Sequence, residues 1–285
     1  MQEEQLRPVY MVYPGLYPLL MLNYWVRIAK VPIVGIMLSG YDSKYEGKVL
    51  PFYRELPFFF KKYGWRYSLY MLFLAKLGVQ LVICWNFIRK LLGKKIKIKT
   101  FAQIAQEKGI PIYTSQDFNS NEALNFLKNV NANLIVSAYN NQILKARAIK
   151  FPKYKTINIH PGQLPNFRGL DAVFEAMYNN VPMAGVTIHY IDCGIDTGEI
   201  LSQELLRIHK DDTLFSLNVR MWMHGAKMLE SVLDAIEERK VTCYNQKLDK
   251  VLYPYCSYPK KERVNEFIKR GRRLIRLRDL LKTFK

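Results

Sequence analysis

Three polar residues in the second half of the chain have the types and spacing of a site that handles a proton and a developing negative charge. Asn158 and His160 stand two residues apart in one apolar run, and Asp196 follows in the sequence Gly-Ile-Asp-Thr-Gly. An amide and an imidazole can donate hydrogen bonds to an oxyanion, and a carboxylate can orient the imidazole. Each residue alone has an ordinary structural explanation, since a strand histidine is often structural and an Asp before Thr-Gly is a common turn former. Their combination favours a catalytic site.

The surrounding residues predict how these side chains are positioned. Residues two apart on a strand share one face, so Asn158 and His160 emerge together. Pro161-Gly162 then turns the chain, which keeps the imidazole at the carboxyl edge of the sheet, where open α/β sheets hold their sites. Asp196 lies in a glycine-bracketed loop between two strands, from which it can meet His160.

Apolar runs alternate with helical patterns along the chain, and this alternation predicts an α/β fold with a doubly wound, mostly parallel open sheet. The predicted strands are 8–14, 31–39, 109–113, 133–140, 155–160, 185–191 and 199–207, and the predicted helices are 18–30, 100–108, 119–130, 174–179 and 212–238. We predict one catalytic domain over 1–240 with a helical insertion at about 45–99, followed by a basic extension over 241–285. The turn after the first strand lacks G-x-G-x-x-G, so a nucleotide-dependent redox role has no support.

Composition excludes several classes of protein. Apolar residues make up 49% of the 285 residues and charged ones 24%, which is ordinary for a globular protein and excludes a disordered or collagen-like chain. The four cysteines form no Cys-x-x-Cys pair, so we expect neither a cysteine-built zinc site nor a disulfide framework. No secretory signal opens the sequence, and the expected location is cytoplasmic.

The positive charge is concentrated in two segments. Lys+Arg number 43 against 24 Asp+Glu, giving a formal net charge of +19, and residues 61–99 and 260–285 carry almost all of this excess. Such an excess suggests an anionic partner, which can be nucleic acid, a membrane surface or an acidic small molecule. A peripheral position at the inner membrane surface is therefore an alternative to a purely cytoplasmic one.

Each basic segment has two interpretations. The apolar run 67–88 is nearly long enough to span a membrane, but both of its flanks belong to the predicted domain, which disfavours spanning. It is either a helix lying in a membrane interface or a helix buried in the core or a dimer contact. The run 264–284 reads as one helix, which either packs one face on the domain or binds anionic lipid or RNA. Composition leaves the oligomeric state open.

With these residues in view, the sequence resembles the formyltransferase family that uses 10-formyl-tetrahydrofolate and includes the glycinamide ribonucleotide and methionyl-tRNA enzymes. The matching features are Asn-Ile-His-Pro at 158–161, Leu-Pro-x-x-Arg-Gly at 164–169 and Gly-Ile-Asp-Thr-Gly at 194–198. The resemblance is strongest over residues 130–205. It implies a formyltransferase-like fold and transfer of a formyl group from 10-formyl-tetrahydrofolate to an amine.

The resemblance also implies residue roles. Asn158 and protonated His160 would stabilise the oxyanion formed when an amine attacks the formyl carbon, while Asp196 would hold His160 and help move the amine proton. No metal is required. The residues implied to line the pteridine pocket, largely through backbone contacts, are Gln142, Ile143, Leu144, Asp192, Cys193, Gly194 and Ile195.

The acceptor stays open at this stage. We expect an amino sugar or a membrane-associated amine, because basic, partly apolar segments accompany the triad. A tRNA acceptor is the first alternative, although tRNA is less favoured as a partner. The missing Gly-Ser-rich turn after the first strand argues against glycinamide ribonucleotide. A formyl-tetrahydrofolate hydrolase and a non-catalytic peripheral membrane protein are the remaining alternatives.

Overall fold

A seven-stranded sheet forms the centre of the protein. The computed structural model describes residues 5–40, 43–45, 48–50, 52–249 and 253–284. The strands are β1 (Pro8–Val12), β2 (Gly35–Ser39), β3 (Ser43–Tyr45), β4 (Lys48–Leu50), β5 (Ile112–Ser115), β6 (Leu134–Ala138), β7 (Thr156–His160), β8 (Met183–Tyr190) and β9 (Ile200–Arg207). The large sheet has the order β5-β2-β1-β6-β7-β8-β9, and β3 and β4 form a separate antiparallel pair.

The sheet is parallel from β5 to β7, and β8 and β9 continue it antiparallel. The predicted α/β class with a mostly parallel open sheet is therefore confirmed. Strand order reverses between β1 and β6, because β1 has β2 on one side and β6 on the other. Such a reversal opens a crevice at the carboxyl ends of the strands.

Helices cover both faces of the sheet. They are α1 (Leu16–Ile28), α2 (Phe52–Tyr63), α3 (Trp65–Leu72), α4 (Gly78–Leu91), α5 (Phe101–Lys108), α6 (Asn121–Asn129), α7 (Ala146–Ile149), α8 (Ala172–Tyr178), α9 (Leu214–Glu237), α10 (Lys261–Lys269) and α11 (Leu277–Phe284). Alternating side chains of β1 show the layering: Tyr10 and Val12 join the main core with α1 and α9, and Val9 and Met11 join a smaller core with α6.

The predicted insertion contains one long helix. A π-helical turn, Phe73–Leu77, joins α3 to α4, so that residues 65–91 form a continuous helix, called here the insertion helix. By length and composition alone this helix is able to cross a membrane, but only 22% of its most apolar window is buried. One stripe of the helix, with Tyr67, Tyr70, Leu74 and Val82, packs in the main core, and most of the rest is exposed. Residues 46, 47 and 51 of the insertion lie outside the described residues.

The carboxyl-terminal segment differs from the single basic helix expected over 264–284. Two helices, α10 and α11, replace it, because Gly271 adopts φ +83 and ends the first. Arginines of this segment form ion pairs with acidic residues of the same chain: Arg263 pairs with Glu175, and Arg278 pairs with Asp211. Phe267 is fully buried in the main core. This segment therefore contributes to the packing of the α/β domain.

Candidate active site

The end of β7 places two of the predicted residues side by side. Asn158 and His160 lie on the same face of the strand, opposite His189 and Thr187 of the antiparallel neighbour β8. The His160 side chain is almost completely buried, and its Nε2–H donates to the carbonyl of Phe167 at 2.7 Å. Its Nδ1 is therefore the nitrogen that remains for chemistry.

The loop between β8 and β9 carries Asp196 into the same cluster. Asp196 has φ +54, an uncommon backbone conformation for a residue with a side chain. Its Oδ2 accepts a hydrogen bond from the Gly169 N–H at 3.0 Å, and its carbonyl accepts one from Gln246 at 3.1 Å. These contacts hold the carboxylate in place from two separate segments of the chain.

Asp196 lies between two imidazoles. Its Oδ2 is 3.8 Å from His160 Nδ1, and its Oδ1 is 3.6 Å from His189 Nε2. Both distances are in the range of an ion pair and are too long for a hydrogen bond. Asp196 lies close to His160, as the sequence predicts. Its carboxylate also lies close to a second histidine.

The charge environment favours an ionised Asp196. Burial raises the pKa of its carboxyl, but the neighbouring imidazoles of His160 and His189 and the hydrogen bond from the Gly169 N–H outweigh that effect and lower the pKa to about 2. The side chain is 14% exposed, so solvent screens these interactions only in part. Asp196 is consequently a carboxylate throughout the neutral pH range.

His189 is the site residue that the sequence reasoning missed. Its Nδ1–H donates to the carbonyl of Tyr190 at 2.8 Å, and its Nε2 lies 3.2 Å from Asn158 Nδ2, in reach of a hydrogen bond from the amide. It thereby links Asn158 to Asp196. The available signal was strand alternation, since 185–191 places Thr187 and His189 on one buried face and the apolar residues on the other.

A cavity of about 390 Å³ adjoins this cluster and is bordered by Asn158, His160 and Asp196. Its walls come from the ends of β1 and β6, from the insertion helix and from the carboxyl-terminal segment. The tyrosines that line the cavity are Tyr13, Tyr17, Tyr67, Tyr70, Tyr139, Tyr255 and Tyr258. The cavity therefore lies at the strand-order reversal and has aromatic walls on several sides, which suits a ring-shaped or cationic ligand group.

A second acid faces the same cavity. Asp171 begins α8 by accepting the Phe174 N–H, and it also accepts a hydrogen bond from the Tyr67 hydroxyl of the insertion helix. Burial raises the pKa of Asp171 to about 6, against the lowering effect of those two hydrogen bonds. The cavity is thus bordered by one carboxylate that is charged at neutral pH and by one that titrates near neutrality.

The residues implied to line a pteridine pocket lie in several places. Ile195 borders the cavity, whereas Ile143 is 69% exposed and Leu144 is buried in the smaller core. The Gln142 side chain accepts a hydrogen bond from the Phe118 N–H and donates one to the Ser39 hydroxyl. Their contacts with a folate stay a prediction.

The remaining loop residues shape the turn that carries Asp196. Asp192 accepts hydrogen bonds from the Gly194 N–H at 3.0 Å and from the Thr197 hydroxyl at 2.6 Å. Cys193 is exposed and reduced. Among the described residues, no cluster of three or more His, Cys, Asp or Glu side chains has metal-binding geometry. The expectation of a metal-free site stays a prediction.

The fold and this site define an α/β protein with a buried polar cluster at the carboxyl edge of its sheet. A family profile described as formyl transferase matches residues 76–233, which is more than half of the chain. The chain belongs to the formyl transferase family. The expected resemblance is confirmed, and the match includes Asn158, His160, His189 and Asp196.

Curated relatives of known name are similar to part of this chain. Methionyl-tRNA formyltransferase of Fusobacterium nucleatum is 32% identical over 170 residues, and that of Natranaerobius thermophilus is 29% identical over 191. The two alignments cover 60% and 67% of this chain and 54% and 60% of the relatives, so the chain spans little more than half the length of the curated relatives it matches.

Among solved structures, phosphoribosylglycinamide formyltransferase from Anaplasma phagocytophilum has a TM-score of 0.55 at 20% identity, covering 89% of this chain and 100% of its own. A sugar 3N-formyl transferase solved with dTDP and 5-N-formyl-THF has a TM-score of 0.52 at 16% identity, covering 89% and 70%. At these identities the likeness shows the fold.

Proposed function

We propose that this protein transfers a formyl group from 10-formyl-tetrahydrofolate to an amine. The observation that carries the proposal is the cluster of Asn158, His160, His189 and Asp196 at the edge of an aromatic cavity. Family membership supports the same reaction type. Since fold alone does not fix function, the residue geometry has to account for each step.

The first requirement is stabilisation of negative charge. When the amine nitrogen adds to the formyl carbon, the carbonyl oxygen becomes an oxyanion that needs hydrogen-bond donors. Asn158 offers amide N–H groups beside the cavity, and the fixed ring of His160 offers a cationic donor once it is protonated. Asn158 now donates to His189, so an incoming oxygen would compete for that amide.

The second requirement is an acceptor for the amine proton. A carboxylate with a pKa of about 2 is a weak base at neutral pH, so Asp196 does not suit this role. His160 Nδ1 is not used by the Phe167 bond and faces Asp196 at 3.8 Å. We assign proton acceptance to His160, with Asp196 as the fixed countercharge for the imidazolium. The proton is then available to the departing folate nitrogen as the carbon–nitrogen bond breaks.

The cavity supports a folate donor and an amine acceptor together. Its volume of about 390 Å³ lies in the range of small-molecule sites. Aromatic walls can stack on a pteridine, and Asp171 with its surrounding tyrosines can attract an ammonium group. These features favour a small amine, and we propose an amino sugar or a membrane-associated amine as the acceptor.

A tRNA-bound amine is the second candidate, because two curated relatives are methionyl-tRNA formyltransferases and this chain carries a net charge of +19. Binding through phosphates falls steeply as salt concentration rises, and this property separates the two candidates. Tight tRNA binding at low salt that weakens strongly with added salt would favour tRNA. Folded protein that binds no tRNA at low salt would eliminate it.

The experiment uses purified protein, formyl-labelled 10-formyl-tetrahydrofolate, and separate amine acceptors that include an amino-sugar nucleotide and methionyl-tRNA. We expect the labelled formyl group to appear on the nitrogen of one of the acceptors. We expect the Asp196→Asn variant to form none of this N-formyl product. Asp234→Asn is the matched control, because Asp234 is a surface carboxylate that pairs with Lys30. Release of formate without any acceptor would instead indicate a hydrolase. Failure of the folded protein to bind the donor in calorimetry would refute the proposal.

His189→Gln tests the residue added by the structure. Glutamine can retain a polar contact with Asn158 but lacks the imidazole ring that lies 3.6 Å from Asp196. We expect slower transfer with donor binding retained. Wild-type rates in this variant would show that Asn158, His160 and Asp196 suffice.

A further inference from the structure

The insertion helix and the end of α2 expose an unusual amount of apolar surface. Twelve of the 22 large apolar side chains that are exposed among the described residues lie between residues 58 and 92. Phe87 and Leu91 are 64% and 71% exposed. Soluble monomers rarely leave a contiguous apolar patch of this kind uncovered, so a partner surface is expected.

The helix has an inner stripe and an outer face. Gly78, Val82 and Asn86 recur every four residues and are buried, and a Cβ on Gly78 would lie 2.8 Å from Leu16 of α1. Asn86 is anchored by donating to the Ile98 carbonyl at 2.8 Å. A neighbouring side of the helix, about 100° round from this stripe, carries Leu77, Leu81, Trp85, Ile88 and Leu92 at helical spacing, and all five are exposed.

Basic residues border this outer face at both ends. Lys61, Lys62 and Arg66 precede or begin the helix, and Lys90, Lys94 and Lys95 end or follow it. No acidic residue occurs from 56 to 106. An apolar face with Trp65 and Trp85 and with basic residues at its borders is the composition of a helix that lies in an anionic lipid interface.

A second copy of this chain is a weaker occupant. In a two-fold dimer the same patch meets itself, so the basic borders of both copies would approach each other without any acid between them. Crossing a bilayer is also disfavoured, because the inner stripe packs on α1 and both flanking helices, α2 and α5, belong to the same domain. A bilayer surface buries the outer face without disturbing either contact.

We propose that the outer face of the insertion helix docks this protein on an anionic lipid bilayer. The helix, about 40 Å long at 1.5 Å per residue, lies along the surface with its apolar side chains among the acyl chains and its lysines at the headgroups. This docking does not depend on formyl transfer. The first half of the same helix supplies Tyr67 and Tyr70 to the cavity wall.

Sedimentation of the full-length protein with vesicles tests the docking. The vesicles are phosphatidylcholine alone or phosphatidylcholine with about one-third phosphatidylglycerol. We expect capture by the anionic vesicles and a blue shift of tryptophan emission. The variant Leu81→Glu/Trp85→Glu is expected to lose capture by about tenfold or more. The control variant Leu205→Glu/Leu248→Glu adds the same two negative charges at exposed leucines outside the insertion helix. We expect it to bind the vesicles as the wild type does.

Three results would overturn the proposal. The folded protein would fail to bind anionic vesicles at low salt, or it would bind them equally well after Leu81→Glu/Trp85→Glu. The third is a concentration-dependent dimer in solution that this variant dissociates, without any capture by vesicles, which would assign the face to self-association. Circular dichroism melts of each variant separate loss of docking from loss of folding. Donor-binding calorimetry on the same samples reports formyl-folate binding separately.

Discussion

The carboxylate between two imidazoles leads to a stability prediction that is independent of any substrate. In Asp196→Asn the Gly169 N–H can still be accepted by the amide oxygen, so the substitution chiefly removes the negative charge. A tenfold change in an acid dissociation constant is worth about 1.4 kcal/mol, so a pKa of about 2 in place of 3.8 corresponds to ~2 kcal/mol of folding stability.

The pH window follows from the sign of this change. The pKa of Asp196 is lower in the folded state, so its contribution is present above the unfolded value of 3.8 and is lost as pH falls through about 2. The full difference between wild type and Asp196→Asn is therefore expected near pH 5.

Urea unfolding followed by circular dichroism measures this difference. Wild type, Asp196→Asn and the surface control Asp234→Asn are compared at pH 8, 5 and 3, with unfolding slopes checked for two-state behaviour. We expect Asp196→Asn to lose about 2 kcal/mol at pH 5 and less at pH 3, and the control to change little at any pH. Equal stability of wild type and Asp196→Asn at pH 5 would refute the electrostatic account of the cluster. A difference unchanged down to pH 3 would also refute it.

Three further substitutions test other parts of the structure. Asp171→Asn is expected to stabilise the protein at pH 7 by at most about 3 kcal/mol and to have no effect below pH about 4, because the folded carboxyl keeps its proton up to a pKa of about 6 while the unfolded one loses it near 3.8. Urea titrations at both pH values check this, and a variant less stable than wild type at pH 7 would contradict it. Gly162→Ala places a Cβ 2.5 Å from His160 Nε2, so we expect a loss of about 1–3 kcal/mol and slower formyl transfer. Wild-type rates and stability in this variant would show that the turn at Gly162 accommodates the extra methyl group without cost. Arg263→Ala leaves the buried Glu175 without its bidentate partner, and because the arginine is 37% exposed we expect a loss of about 2 kcal/mol, with recovery in Arg263→Ala/Glu175→Gln. Thermal melts and urea unfolding measure both, and no recovery in the double variant would argue against a desolvated charge as the cause.

Much of the fold was predictable because its local signals agree with the tertiary structure. Helix α5 begins after Thr100, which forms a capping box with Gln103, and it ends at Gly109 with φ +63. The strands of the buried sheet read as apolar runs, as expected for parallel strands covered on both faces. The carboxyl-terminal helix was predicted too long, because Gly271 inside an otherwise amphipathic pattern gives only a weak signal for a break.

The site was predictable in part for a similar reason. Asn158 and His160 share a strand and a turn, so their juxtaposition follows from local sequence. His189 could not be paired with them, because its place opposite Asn158 depends on the register of β7 and β8. Asp171 stayed hidden because its raised pKa arises from burial under the insertion helix, which is distant in sequence.

The sequence by itself determined the class of fold, the family motifs and the three residues proposed for the site. It did so because strand alternation, helix caps and the Asn-x-His-Pro turn are short-range patterns with fixed geometry. Only the tertiary structure decided that Asp196 is shared by two histidines, that a cavity with tyrosine walls adjoins them and that the insertion helix leaves its apolar side uncovered. Burial and pairing between distant segments are properties of the packed chain, and no window of sequence contains them.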